Sequence, residues 1–305
     1  MGYINVSQAA EKWGISPRRV RLLCAQNRIE GVTQKGRVYM IPEDASKPVD
    51  ARTLKGMELS ENLLPLLLKV DALKAELDAK RPMTAGEAER LREQFMVDFT
   101  YNSNAIEGNT LTLQETAMVL GGMTVDQKPL KDHLEAVGHR DAFLYVEDIA
   151  KNQKISESVI KNIHSLVLMN RPDDKGRYRK IPVMIMGAYT QPVQPYMIEP
   201  KITELLRENE KRKKKLHPIE RIARFHLEFE GIHPFVDGNG RCGRLLLNLD
   251  LIQNGYPAIN VKFTDRKKYY DAFDEFYRRH SAEPMIQLVA EYVAERIAQY
   301  LEVLK

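Results

Sequence analysis

Apolar positions recur at three- and four-residue intervals over most of this chain, so the amphipathic helix is the element its pattern predicts most often. Leu63, Leu66, Leu67, Val70, Leu73 and Leu77 form one apolar face of such a helix. A second is expected over about 85–107, with Gly108-Asn109 as its stop signal. Thr112-Leu113-Gln114-Glu115 reads as a capping box that opens the next one. A helix beginning near Glu199 ends in Lys211-Arg212-Lys213-Lys214-Lys215, a solvated helix end. Pro218 opens another, with Ile222, Phe225 and Phe229 on one face and Gly231 as its expected end. Leu245 to Ile252 continue a further helix that Asn254-Gly255 terminates.

Two stretches depart from this pattern. Near the N-terminus, Ser7 is expected to cap a helix through Ala9, Ala10 and Trp13 that Gly14 ends. Ser16 and Pro17 restart a helix as N-cap and first residue, with Val20 and Leu23 inward and Arg18, Arg19 and Arg21 outward. Gly31 to Ile41 then reads as a small hairpin around Lys35-Gly36, closed by Pro42. The second departure spans 176–197. Val183-Met184-Ile185-Met186 has strand character, Gly187 breaks it, and Pro182, Pro192 and Pro195 keep the region out of helices. Such a hairpin edge is either purely structural or open to a partner strand.

Composition narrows the class. Of 305 residues 43% are hydrophobic, enough for real cores, and the length argues for two domains or three. No apolar run approaches the roughly 18 residues of a membrane span, and no secretory signal pattern opens the chain. Two cysteines, Cys24 and Cys242, exclude a disulfide framework. A cytoplasmic protein without a membrane partner is the expectation. The net charge is +4, and residues 1–48 alone hold eight bases against four acids, an excess equal to that of the whole chain. A small basic unit on a neutral body points to nucleic acid as the partner of the small unit.

The chemistry concentrates in His233-Pro234-Phe235-Val236-Asp237-Gly238-Asn239-Gly240-Arg241-Cys242-Gly243-Arg244. Helical patterns flank it, so the motif is helix, glycine-rich loop, helix. The loop lets successive N–H groups turn toward one point, and the following helix adds its N-terminal donors and positive dipole end, which together make an anion hole. Arg241 and Arg244 share one face of that helix's first turn and can both reach phosphate oxygens. Asp237 supplies a hard oxygen ligand for magnesium. His233, just ahead of the anion site, can take a proton from an attacking hydroxyl as a neutral imidazole. The lysine and Ser/Thr that close a P-loop are absent.

This stretch resembles, position for position, the Fic-family motif His-Pro-Phe-x-Asp/Glu-Gly-Asn-Gly-Arg-x-x-Arg. The similarity extends to Ile163-His164 and Gly176-Arg177-Tyr178-Arg179, which resemble the family's opening helix and the approach to its flap, and to Gly187–Pro195, the flap itself. Asn248, Asn254-Gly255-Tyr256-Pro257 and Tyr269-Tyr270 resemble the segment that closes on the nucleotide. The flap departs from the family in having Tyr189-Thr190-Gln191 where a histidine often follows the glycine.

The resemblance implies transfer of AMP from ATP to a Ser, Thr or Tyr hydroxyl of a protein docked on the flap, the chain itself included. It makes His233 the general base, Asp237 the holder of Mg²⁺, and Asn239 with the amides around Gly238, Gly240 and Gly243 the α-phosphate cradle. Arg241 would serve the leaving phosphates and Arg244 the γ-phosphate, with Tyr269 and Tyr270 near ribose or adenine. Ser103-Asn104-Ala105-Ile106-Glu107-Gly108 resembles the family's inhibitory-helix signature. Ser103 and Glu107 are four apart on one helix face, and the implied partner of the Glu107 carboxylate is Arg244. The alternatives are a DNA-bound regulator that uses the fold to sense nucleotide, or a Fic enzyme that removes AMP or moves another phosphate-containing group.

The N-terminal pattern in turn resembles the winged helix-turn-helix of excisionase and MerR-type DNA binders, with Arg18, Arg19 and Arg21 as the DNA-facing residues. The alternative there is a protein-interaction module. The expected organisation is mainly α: a winged helix-turn-helix at 1–48, a linker at 49–57, helices at 58–150 including the inhibitory one, and an all-helical Fic core at 151–305 with its small β-hairpin flap at 176–197.

Overall fold

The computed structural model of the protein describes residues 2–25, 29, 31–36, 38–45, 63–80, 85–184 and 191–304. The chain divides into two compact units, Met1–Lys55 and Gly56–Lys305. The expected linker, 49–57, lies outside the described residues.

In the first unit, α1 (Val6–Trp13) and α2 (Pro17–Ala25) meet through Gly14, which takes the left-handed conformation at φ 62°. The cap of α1 is Asn5 and not Ser7. Asn5 Oδ1 accepts from the N–H groups of Ser7 and Gln8 while Gln8 Oε1 accepts from Asn5 N–H, a reciprocal box that Ser7 has no partner to build. The hairpin of β2 (Thr33–Lys35) and β3 (Val38–Pro42) forms as expected. A two-residue strand, β1 (Tyr3–Ile4), adds to β3 and gives the order β1-β3-β2; it is too short to leave a periodicity. Val6, Ala9, Trp13, Val20, Leu23 and Ile41 fill the small core.

The second unit is helical: α3 (Leu63–Ala79), α4 (Ala85–Ile106), α5 (Leu113–Leu120), α6 (Leu130–Ile149), α7 (Glu157–Val167), α8 (Ile198–Arg212), α9 (Pro218–Ile232), α10 (Asn239–Gln253), α11 (Arg266–Arg279) and α12 (Glu283–Val303). Thr112 and Glu115 make the expected capping box. Val183 and Met184 lie in no strand, and the rest of the expected flap strand, with Gly187, Tyr189 and Thr190, lies outside the described residues. No described helix is long and apolar enough to cross a membrane.

Two apolar cores meet on α9 and α10. One joins Leu67, Val70 and Leu77 of α3 to Ile222, Leu251, Val293 and Ile297. The other joins Phe95 and Phe99 of α4, Phe143 of α6 and Ile160 and Ile163 of α7 to Phe225, Phe229, Leu245 and Leu249. Each such side chain contributes roughly 1.5–3 kcal/mol on burial. Helix α10 is consequently buried almost all round, from Asn239 to Leu251. At the far end of the pair, Arg221 of α9 grips Asp250 of α10 through two bonds of 2.5 and 2.7 Å, with Asn209 as a third partner. The α9–α10 pair therefore presents its connecting loop, 233–238, from a rigid base.

Candidate active site

The turn between α9 and α10 is fixed at every residue that matters. Helix α9 does not stop at Gly231 but runs to Ile232, and His233 itself adopts the left-handed turn at φ 51°. Gly231 serves packing: a β-carbon there would lie 3.0 Å from Tyr277 Oη. Past the turn, Asn239 bonds both ways to Phe235, accepting from its N–H and donating to its carbonyl at 2.9 Å each. Its side chain thus braces the loop. His164 of α7 stacks on Phe235 with ring centroids 3.6 Å apart. Its Nδ1 accepts from Gly176 N–H, so Nε2 carries the proton and donates to Asp237 O at 3.0 Å. Arg179, also buried, donates to the carbonyls of His233, Ile181, Val193 and Ile232 and so ties the loop to both flanks of the flap region.

Above this frame lies an anion site. The N-cap Gly238 sits at φ 76° without a side-chain cap, which leaves the first N–H groups of α10 free. Arg244 is buried and donates Nε to Ser103 Oγ at 3.0 Å, and Nη2 to Ser103 O at 2.7 Å and Glu107 Oε1 at 2.8 Å. Its Nη1 meets no hydrogen-bond acceptor at full geometry among the described residues. Glu107 follows the last residue of α4 and swings over Gly240, where a β-carbon would come within 2.2 Å of its Oε1. Only glycine admits the carboxylate at that point. A negative group is disfavoured at the C-terminal end of α4 and favoured at the N-terminal end of α10, so the two dipoles act in one direction.

Arg241 is also buried, with Nη1 3.1 Å from Glu135 Oε1 and Nη2 3.3 Å from Asp237 Oδ1. Neither its Nε nor its Nη1 makes a hydrogen bond. Asp237 is about a third exposed; Oδ1 accepts from Gly238 N–H at 2.6 Å and Oδ2 lies 3.6 Å from Arg171. Burial works against its charge, but Arg241, the Gly238 N–H, Lys131 and Arg171 outweigh it and hold the carboxyl below its ordinary pKa. Among the described residues no group of three His, Cys, Asp or Glu side chains is placed to hold a metal. One ionised, partly exposed carboxylate beside an anion site nevertheless fits Mg²⁺, which keeps most of its water and takes one or two carboxylates plus phosphate.

His233 flanks the same space. Burial pushes its pKa down to about 4, against the Glu230 carbonyl and nearby carboxylates, which favour the charged ring. It is a neutral base at physiological pH. Tyr269 is buried beneath Arg244, its hydroxyl 2.7 Å from His226 Nε2 and its ring 5.8 Å from the guanidinium. It offers no face to a nucleoside, whereas Tyr270 is 38% exposed and carries Arg266 over its ring.

His233, Asp237, Gly238, Gly240, Arg241, Gly243, Arg244, Ser103 and Glu107 are therefore brought together. Glu135 and His226 complete the site without any signal in the local sequence, because each acts through a partner far along the chain; Arg179 closes the segment that resembles the approach to the flap, and Glu230 lies three residues before His233.

A Fic/DOC family model matches residues 154–251. Over 271 residues, 84% of this chain and 61% of the relative, the chain is 33% identical to "Protein adenylyltransferase Fic" of Nematostella vectensis. It is 33% identical to "Protein adenylyltransferase fic-1" of Caenorhabditis elegans over 70% of this chain and 43% of that one. The chain thus spans about half the length of the curated relatives it matches. Among solved structures, a Fic domain containing signaling protein of Bacteroides thetaiotaomicron superposes with a TM-score of 0.71 at 25% identity, over 77% of this chain and 96% of that one. Fic-1 of C. elegans gives 0.67 at 28% identity, over 80% and 73%.

Proposed function

The chain carries a Fic/DOC-family domain at residues 154–251, and from that premise we propose that it is a protein adenylyltransferase restrained by its own Glu107. It moves AMP from ATP to a Ser, Thr or Tyr hydroxyl of a protein presented at the flap region, itself included. The observation that carries the reading is a carboxylate seated on Arg244 in a glycine-lined anion site beside a neutral, half-buried histidine.

In the reaction, His233 takes the proton of the incoming hydroxyl as that oxygen bonds to the α-phosphorus. The bond to the bridging oxygen breaks and pyrophosphate leaves. The free N–H groups of α10 and the Arg241 guanidinium, whose Nε makes no hydrogen bond among the described residues, meet the charge that develops on the phosphates. Arg244 Nη1 and Nη2 bind the γ-phosphate once Glu107 has withdrawn, and Tyr270 offers the exposed aromatic face for the base. Asp237 would hold Mg²⁺, which would neutralise phosphate charge. A cytoplasmic setting supplies ATP and agrees with two free cysteines.

ATP labelled at the α- or the γ-phosphate tests this. Label from the α-position alone should enter protein, in a Mg²⁺-dependent way, and His233→Ala should abolish entry while nucleotide still binds. Covalent γ-label means a kinase-type reaction and overturns the assignment.

For the first unit we propose DNA binding through a winged helix-turn-helix. Two helices about Gly14 beside a small sheet, with Arg18 and Arg21 exposed on α2 and Arg19 half-buried between them, favour it. Deleting residues 1–48 should remove a DNA affinity that falls with rising salt; unchanged gel shifts favour a protein partner.

A further inference from the structure

Glu230 is a buried acid that the proposed reaction leaves without a task. It lies on α9 one turn before His233, and its Oε1 has no hydrogen-bond partner. Its Oε2 is 3.8 Å from His233 Nδ1, itself buried and unpartnered. Gly243 makes room for the carboxyl: a β-carbon there would meet Glu230 Oε1 at 2.2 Å. An unpaired buried carboxyl costs stability that a leucine or methionine of similar size would not. It persists 3.8 Å from His233 Nδ1, at a ring that also has the Glu230 carbonyl within reach.

Resting on the reading of His233 as the base, we propose that Glu230 is its positioning residue. The ionised carboxylate accepts the Nδ1 proton of His233, keeps Nε2 bare toward the incoming hydroxyl, and balances the imidazolium when that hydroxyl's proton arrives. The proton moves from the target oxygen to Nε2; Nδ1 keeps its own proton throughout, shared with Glu230 Oε2. A closure of about 1 Å turns the present 3.8 Å separation into a charge-assisted hydrogen bond. The arrangement is the buried carboxylate behind a histidine that orients the ring and stabilises its charged form.

The surroundings decide when that carboxylate is available. His226 and His233 face Glu230 from α9, Cys242 and Arg244 from α10, and Tyr269 and Tyr277 from α11, with Glu107 beyond Arg244. Burial above all, then the Glu107 charge, raise its pKa to about 8 against the pull of Arg244. His233 titrates near 4 and by itself predicts a rate that is flat across neutral pH. A base that needs ionised Glu230 predicts a rate that keeps rising through about pH 8.

Self-adenylylation of the full chain with Glu107 in place, at saturating ATP, should rise roughly tenfold from pH 7 to 9, since a group titrating near 8 is about a tenth ionised at the lower value. Glu230→Gln keeps an acceptor for Nδ1 but has no charge. It should flatten this rise and cut the rate at pH 9 at least tenfold, with the KM for ATP unchanged. Glu230→Asp should retain the rise at a lower rate. In the chain with Glu230 intact, ¹⁵N NMR of the His233 ring should find Nδ1 protonated and Nε2 bare above pH 8, which holds the test open if a variant fails to fold. A flat profile, or Glu230→Gln with parental rate and profile, overturns the inference. If His233→Ala abolishes transfer while Glu230→Gln changes nothing, only the role of Glu230 falls; if His233→Ala retains full transfer, the base assignment falls as well.

Discussion

Helix α10 carries a buried arginine ion pair at each end, and the two are built to opposite purposes. At its C-terminal end, Asp250 holds Arg221 of α9 by both carboxylate oxygens, and both side chains are at most 2% exposed. At its N-terminal end, Arg244 is equally buried, but Glu107 meets it through one oxygen and is itself 32% exposed. Breaking the first pair strands two charges out of reach of water. Breaking the second strands only one, and an incoming phosphate can replace the carboxylate while Glu107 is taken up by solvent. The same chemistry therefore yields a lock where both partners are enclosed and a gate where one can leave.

The lock gives the largest expected effect. Asp250→Ala leaves the Arg221 guanidinium buried and unpaired and should destabilise the second unit by about 3–5 kcal/mol, read from urea midpoints. Glu107→Ala should cost less than Asp250→Ala, because Ser103 still accepts from Arg244 Nε and Nη2. Comparable losses from the two changes would erase the distinction between lock and gate.

Acid should act on the burial both pairs share. Burial lowers the pKa of His164 to about 4, His226 to about 3 and His233 to about 4, and holds His139 well below the ordinary value of 6.5. Groups with depressed folded values contribute stability above the unfolded pKa and lose it as pH falls toward the folded one. Glu230, raised to about 8, acts oppositely, since its folded form keeps a proton that the unfolded chain releases above about 4.5. Four imidazoles outweigh one carboxyl, so stability should fall from pH 6.5 to 4, on the order of 1–3 kcal/mol per pH unit. Urea midpoints that stay level across this range would mean these rings are hydrated in solution.

The gate is read in activity. Glu107→Gly frees Arg244 for the γ-phosphate and should raise adenylylation at least tenfold, about 1.4 kcal/mol, most visibly as self-modification. Glu107→Gly with Arg244→Ala should lose the gain. If Glu107→Gly is no more active than the parent, the contact is structural.

How much of this was legible in the sequence follows from how far apart the partners lie. The loop from His233 to Arg244 is contiguous, and its glycines and charges point to an anion site before any fold is known. The Glu107–Arg244 contact spans 137 residues and was legible only through a family resemblance. Glu135 left no trace, since a lone charge in an amphipathic pattern carries no local sign of what it will meet, and Arg179 was legible only as part of the resemblance and not as the residue that ties down the loop. Local signals also competed. Asn5 displaced Ser7 as a cap because Gln8 completes its box, and Gly231 read as a stop when it is a seat for Tyr277. Asn239 and Tyr269 read as ligand groups, but the loop and the layer under Arg244 claim their polar atoms first.

Ser103 supplies the smallest and sharpest test of the gate. It is fully buried on α4 and accepts the Arg244 Nε proton at 3.0 Å, while its carbonyl holds Nη2. Nothing about Ser103 needs to move when Glu107 leaves, because its side chain belongs to the packed face of the helix and not to its exposed end. Ser103→Ala should therefore loosen Arg244 equally in the closed and open states, for roughly 1 kcal/mol of stability. Transfer should change by less than about threefold in the parent and in the Glu107→Gly chain alike, so that the ratio between those two stays constant. If Ser103→Ala alone activates as strongly as Glu107→Gly, the restraint lies in how Arg244 is seated and not in the carboxylate that covers it.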